Sequence, residues 1–253
     1  MVEELYGLIG RPLGHSLSAD YFARKFALAG EADVRGYRLF ELESIDHLPA
    51  LLAANPALRG LNVTIPYKKA VIPLLDRLSA EAARIGAVNC VRIESDGSLV
   101  GHNTDYVGFG ESLVEFLEGA HPRALVLGTG GAAQAVCAWL ADHEFEFLRV
   151  SHSGSGDVGY EELTPAMMAD YGLIVNTTPL GMSPLVEACP AIPYEALTAD
   201  HYLFDLVYNP ALTEFLRRGQ KAGAHICNGM SMFSIPDAVI SSGATNSSFT
   251  NVS

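Results

Sequence analysis

The chain has 253 residues, with 16 Lys and Arg against 29 Asp and Glu, for a formal net charge of −13 at pH 7. Its basic residues never run more than two together, which argues against nucleic acid or an anionic membrane as a partner. With 49% hydrophobic and 18% charged residues and no apolar run of about 18 residues, the composition is that of a globular enzyme without a membrane span.

The start, Met1-Val2-Glu3-Glu4, is acidic, unlike a secretory leader. Cys90, Cys137, Cys189 and Cys227 are scattered, with no C-x-x-C and no metal spacing. The expectation is a cytoplasmic protein with free, mostly buried thiols and no metal. Short apolar runs alternate with helical periodicities, which predicts an α/β fold with mostly parallel sheets. Strands are expected at 6–9, 36–40 and 60–65. Between them lie helices at 18–29, with Ser18 as N-cap and Gly30 as stop, and at 44–54. Helical stretches at 67–75 and 79–85 lead to a hairpin, 88–93 and 99–102, turned by Ser95-Asp96-Gly97-Ser98. After a helix at 105–117, Pro122 punctuates the chain. A second series follows, with strands at 124–127, 145–151, 173–176, 202–205 and 225–227 and helices at 132–141, 165–170 and 211–222. A boundary within 103–122 gives two domains, residues 1–103 and a Rossmann-type part at 104–224. Residues 225–253 are expected to return toward the first part and to fray. No charge follows Asp237, and Pro236 stops any helix begun near Gly229.

Gly128-Thr129-Gly130-Gly131-Ala132-Ala133 fits G-x-G-x-x-[GA] between an expected strand and an expected helix. The first glycine permits a tight turn, and the second lets the backbone approach a pyrophosphate. The small third position lets helix and strand pack closely, and the helix N-terminus offers amide donors. The pattern predicts a dinucleotide site, with a purely structural glycine turn as the alternative. The next strand ends in Arg149-Val150-Ser151-His152-Ser153, with no acid for the ribose hydroxyls before Asp157. That acid-free end, with Arg149 nearby, tilts toward NADP. His152 reads equally as an ordinary loop residue. Lys68 and Asp105 each stand where a strand gives way to a helix, the end of an α/β sheet at which ligands bind. Together they can move a proton on a substrate oxygen. Singly, they read as a solvated lysine and a helix cap. Lys69 reads as a surface residue.

Several stretches carry a resemblance. Gly10-Arg11-Pro12-Leu13-Gly14-His15-Ser16-Leu17-Ser18 resembles the substrate loop of the shikimate dehydrogenases. Asn62-Val63-Thr64-Ile65-Pro66-Tyr67-Lys68 is similar to that family's N-V-T-x-P-x-K, Gly86 to Asn89 to its G-A-V-N, and Asn103-Thr104-Asp105 to its N-T-D. The glycine turn, Asn176 to Met182 and Asp205-Leu206-Val207-Tyr208 follow in the family's order. The resemblance implies reversible reduction of 3-dehydroshikimate to shikimate with NADPH by a monomer or homodimer. Lys68 and Asp105 would be the catalytic pair. Ser16, Ser18, Thr64, Asn89 and Tyr208 would hold the substrate's hydroxyls and carboxylate. Gly128, Thr129, Gly130, Gly131 and Ala132, with Ser151, His152 and Ser153, would hold the cofactor. Leu206, Gly229 and Met232 would lie by its nicotinamide.

Two departures stand out. Ser151-His152-Ser153 replaces the family's Asn-Arg-Thr or Asn-Arg-Ser, and imidazole is a poorer phosphate clamp than a bidentate guanidinium. Pro236 falls where the family presents a Gln to its substrate. These changes keep two rivals in view. One is a quinate/shikimate dehydrogenase with relaxed use of NAD and NADP. The other is a catalytically idle relative that only binds a metabolite.

Overall fold

The computed structural model describes residues 3–14 and 16–234, with the side chains of 233 and 234 excepted. The α/β expectation holds, as two sheets. The first contains β1 (Glu4–Gly10), β2 (Arg35–Glu41), β3 (Leu58–Val63), β4 (Arg77–Leu78), β5 (Cys90–Ile93) and β6 (Leu99–His102), in the order β2-β1-β3-β5-β6-β4. β1, β2 and β3 are parallel, whereas β5 runs antiparallel to both β3 and β6. The two-residue β4 is too short to leave a periodicity in the sequence, and no strand was expected there.

The second sheet contains β7 (Ala124–Leu127), β8 (Phe147–Val150), β9 (Leu173–Asn176), β10 (Tyr202–Asp205) and β11 (His225–Asn228), in the order β11-β10-β9-β7-β8. It is parallel throughout. Every residue of its two central strands β7 and β9 is buried, which is why both read as unbroken apolar runs. One face of this sheet contributes Leu125, Leu127, Ile174 and Leu203 to one apolar layer. The other face contributes Val126, Val175 and Phe204 to another, together with the helices that cover it.

The helices are α1 (Ser18–Leu28), α2 (Leu48–Ala54), α3 (Tyr67–Ala70), α4 (Ala80–Ile85), α5 (Asp105–Leu117), α6 (Gly131–Asp142), α7 (Pro165–Asp170) and α8 (Glu214–Lys221). Ser18 is not the N-cap of α1. Leu17 occupies that position without a side-chain cap, and Ser18 is the first helical residue. Gly30, with φ +72°, stands just past the end of α1 as expected. Two expected helices each divide. Ser44 caps a 3₁₀ turn, Ile45–His47, ahead of α2, and α3 passes into a 3₁₀ turn, Ile72–Leu74, at Pro73. α8 begins three residues later than expected because the Thr213 hydroxyl accepts from the Leu216 amide and takes the cap. All four thiols are free, but only Cys90 is fully buried.

The described part of the C-terminal segment stays with the second sheet. β11 pairs with β10, and a 3₁₀ turn, Ser231–Ser234, lies against α5, with the Ser231 and Ser112 hydroxyls 2.7 Å apart. Pro236 and the expected frayed tail lie outside the described residues.

α5 and α6 approach closely at Gly110. A methyl there would stand 1.9 Å from Trp139 Nε1, and Trp139 is itself wedged against Phe109 and His143. Gly110→Ala is therefore expected to lower stability by about 1–3 kcal/mol through overpacking, as read from urea unfolding.

Candidate functional site

Because β5 runs antiparallel, its beginning lies beside the ends of β3 and β6. Lys68 follows β3, Asn89 precedes β5, and Asp105 follows β6, so the topology delivers all three side chains to one rim. Lys68 Nζ lies 2.6 Å from Asp105 Oδ2, and each side chain is only 16% exposed. Asp105 does not cap α5, since that position falls to Thr104, whose side chain makes no capping bond to the helix. Its second oxygen, Oδ1, accepts from Asn89 Nδ2 at 2.7 Å. Asn89 also bonds Thr104, donating Nδ2 to Oγ1 at 2.9 Å and accepting at Oδ1 from the backbone amide at 2.8 Å and from the hydroxyl at 3.3 Å. Asn103 Nδ2 reaches the Ala87 carbonyl at 3.0 Å, and the Val88 amide reaches the Lys68 carbonyl at 2.7 Å. Three separate stretches thus form one network around the carboxylate. A charge-assisted bond so enclosed holds the Lys68 nitrogen in a fixed direction, where the ammonium can donate a proton and the amine so formed can take one back.

Hydroxyls gather at the start of α1. Ser16 Oγ donates to Ser18 Oγ at 3.2 Å and accepts from the Ser18 amide at 3.2 Å. Ser18 is buried and hydrogen-bonds both Tyr208 and Tyr37. Burial pushes the Tyr208 phenol up to about 12 while Ser18 pulls the other way, so the phenol stays neutral and able to donate. Tyr37 was not among the expected site residues. It accepts from Asn62 Nδ2 at 2.8 Å and stacks on Phe22 at 4.2 Å, while Asn62 Oδ1 is buried without a partner. A tyrosine within a strand reads as core, so only tertiary contact reveals it. Thr64 is half-buried beyond the end of β3. Its methyl stands 2.4 Å from where a Cβ on Gly10 would be, so the end of β1 must be glycine.

In the second sheet, Gly128 adopts φ +110°, and Gly130 leads α6 without any side-chain cap. The first-turn amides of α6 therefore have no side-chain acceptor, and a methyl on Gly130 would meet nothing within 4 Å. A methyl on Gly131 would lie 2.9 Å from Lys68 Cβ, so the turn abuts the lysine. Ala132 follows in the first turn, and Ala133, the small third position, is buried against β7. Gly229 lies on the Leu206 backbone, and the Met232 backbone lies on Gly108. Open donors, close backbone approach and this apolar corner fit a dinucleotide. Arg149 differs from expectation. Asp157 receives its Nε at 3.0 Å, its Nη2 at 2.7 Å and its backbone amide at 2.8 Å, so it is not a free cation for a phosphate. The His152 ring stacks on Tyr160 at 4.2 Å.

Fold and rim together describe an α/β oxidoreductase, with an enclosed Lys68–Asp105 pair beside a glycine turn. Residues 8–91 match the family model described as the shikimate dehydrogenase substrate binding domain. The chain is 38% identical over 247 residues to the shikimate dehydrogenase (NADP(+)) of Clostridium beijerinckii, covering 90% of this chain and 87% of that one. The shikimate 5-dehydrogenase of Thermus thermophilus, solved with NADP(H) and shikimate, superposes with a TM-score of 0.76 at 30% identity, covering 94% of this chain and 91% of that one. A Corynebacterium glutamicum quinate dehydrogenase solved with NAD gives 0.79 at 30% identity, covering 95% and 93%. The chain belongs to the shikimate dehydrogenase family. Among the described residues, no helix is long and apolar enough to cross a membrane.

One buried network escaped the sequence reading as a site element. Asp205 closes β10 with no exposed surface. Its Oδ1 accepts from Asn176 Nδ2 at 2.9 Å and from the Val207 amide at 3.0 Å, and its Oδ2 accepts from the Thr213 hydroxyl at 2.5 Å. It thereby ties both ends of the segment that carries Leu206 and Tyr208. Burial pushes its carboxyl from 3.8 up to about 6, outweighing those three bonds. A raised carboxyl favours the fold when protonated. Its contribution is complete below pH 3.8 and is lost as pH rises through about 6. Urea unfolding of Asp205→Asn across pH 4–7 should lack this fall, with wild type losing up to about 3 kcal/mol relative to the variant.

Proposed function

We propose that this chain reduces 3-dehydroshikimate reversibly to shikimate with NADPH, with Lys68 and Asp105 as its catalytic pair. The observation that carries the assignment is the enclosed 2.6 Å contact between them, beside the glycine turn. NADP(H), when bound, supplies or takes up the hydride at the carbonyl carbon. In the reducing direction, Lys68 Nζ donates a proton to the carbonyl oxygen. In the oxidising direction, the same nitrogen, as the neutral amine, receives the proton of the hydroxyl and becomes the ammonium again. Asp105 Oδ2 fixes the ammonium, and Asn89 fixes Asp105 through Oδ1. The Ser16, Ser18 and Tyr208 hydroxyls bind the substrate's carboxylate, with Thr64 and Asn89 at its ring hydroxyls. A small polyhydroxylated acid calls for such a set of fixed donors and acceptors.

The division of labour follows the sheets: residues 1–103 bind substrate and residues 104–224 bind the dinucleotide. Gly128 to Ala132 receive the pyrophosphate, Ser151 to Ser153 lie toward the adenosine ribose, and Leu206, Gly229 and Met232 flank the nicotinamide. Free thiols suit a cytoplasmic protein, acting as a monomer or homodimer.

With shikimate and NADP+, wild type should generate NADPH absorbance, and quinate should be the poorer substrate. Lys68→Ala and Asp105→Asn should each lower kcat by roughly 10²–10⁴-fold, with NADP+ binding retained by calorimetry. An unchanged kcat in Lys68→Ala overturns the catalytic assignment. A wild type that binds shikimate and NADP+ without turnover establishes the idle reading instead.

A further inference from the structure

The ribose end of the dinucleotide site carries an arrangement that the proposed reaction leaves unexplained. Four hydroxyls stand there in mutual contact. Thr129 Oγ1 and Ser155 Oγ are 2.8 Å apart, Ser153 and Ser155 2.7 Å, Ser151 and Ser153 2.9 Å, and Ser151 and Ser155 3.3 Å. Thr129 comes from the glycine turn and the serines from the loop after β8, the two segments that border a bound ribose. Arg149, on β8, stands two residues before Ser151, the first residue of the loop that carries the serines. It is turned away by Asp157. That carboxylate is anchored by its own segment, because the Asp157 amide donates to the Arg149 carbonyl at 2.8 Å while the Arg149 amide donates to Asp157 Oδ2 at 2.8 Å. A swing of Arg149 toward a phosphate would strand a fixed anion beside that phosphate.

Resting on the dinucleotide reading above, we propose that Asp157 sets cofactor discrimination by holding Arg149 off the ribose site, leaving the hydroxyl cluster to read both cofactors. The chemistry of the cluster suits that role. Each hydroxyl is both donor and acceptor, so the four can pair with a ribose 2′-hydroxyl, which donates and accepts, or with a 2′-phosphate, which only accepts. A guanidinium would favour the phosphate, and a carboxylate aimed into the site would favour the hydroxyl. Here the two neutralise each other on the outer edge of β8, and the site takes NAD and NADP with little preference. Asp157 therefore acts through Arg149, as a specificity-determining residue remote from the reacting atoms.

Calorimetric titration of NADP+ and NAD+ into wild type, Arg149→Ala, Asp157→Asn and the double variant tests this without recourse to turnover. Wild type should bind the two cofactors within about tenfold of each other. Arg149→Ala should not tighten NADP+, because it leaves the anchored Asp157 carboxylate without its partner. Asp157→Asn should tighten NADP+ by about tenfold or more with NAD+ unmoved, as a released guanidinium reaches the phosphate. The double variant should lose that gain. A double variant that binds NADP+ alone more weakly than wild type does would show that the arginine already clamps the phosphate, and would overturn the proposal. So would an Asp157→Asn protein with an unchanged ratio. If Asp157→Asn alone does not fold, the double variant, which leaves neither charge unpaired, still decides. A folded wild type that binds neither cofactor overturns the underlying dinucleotide reading instead, and so separates the two failures.

Discussion

An ammonium and a carboxylate that are mostly withdrawn from water have a narrow range of tolerable arrangements. Leaving either without a partner costs several kcal/mol, so the fold must supply both groups at hydrogen-bonding distance and saturate the oxygen that the lysine does not use. Lys68 and Asp105 meet that demand across 37 residues of chain, with Asn89 on the remaining oxygen. The antiparallel β5 inside an otherwise parallel neighbourhood gains its meaning here. Only a reversed strand brings its beginning, and therefore Asn89, to the rim where β3 and β6 end.

The second sheet is arranged around the same pair. Gly131 sits so close to the lysine stem that a side chain there would collide with it, which places the glycine turn against Lys68. On the far side of the sheet's rim, Asp205 holds the segment bearing Leu206 and Tyr208 through neutral donors alone. That choice favours geometric definition over charge pairing. Its consequence is a carboxyl whose ionisation works against the fold.

Where reading and structure part, competition for a hydrogen-bonding group is the reason. Ser18 has the composition of an N-cap, yet its hydroxyl serves Tyr208 and Tyr37 from the first helical position. Asp105 also has the composition of a cap, and its oxygens go to Lys68 and Asn89 instead. Arg149 lies beside the expected phosphate position in sequence, yet Asp157, eight residues on, claims it. In each case a local signal names a plausible partner, and a residue brought near by the fold outcompetes it.

The sequence by itself determined the α/β class, most element positions, the glycine turn and the motif order that marks the family. These are local patterns: buried parallel strands must be apolar runs, tight turns need glycine, and catalytic groups follow strand ends. Tertiary structure alone decided that three separated motifs close into one network around Asp105. It also added Tyr37 and Asp205 to the surroundings of the site and paired Arg149 with Asp157. Those outcomes depend on which strands become neighbours and in which direction they run. That is set by the packing of the whole chain and is not encoded in any short stretch of it.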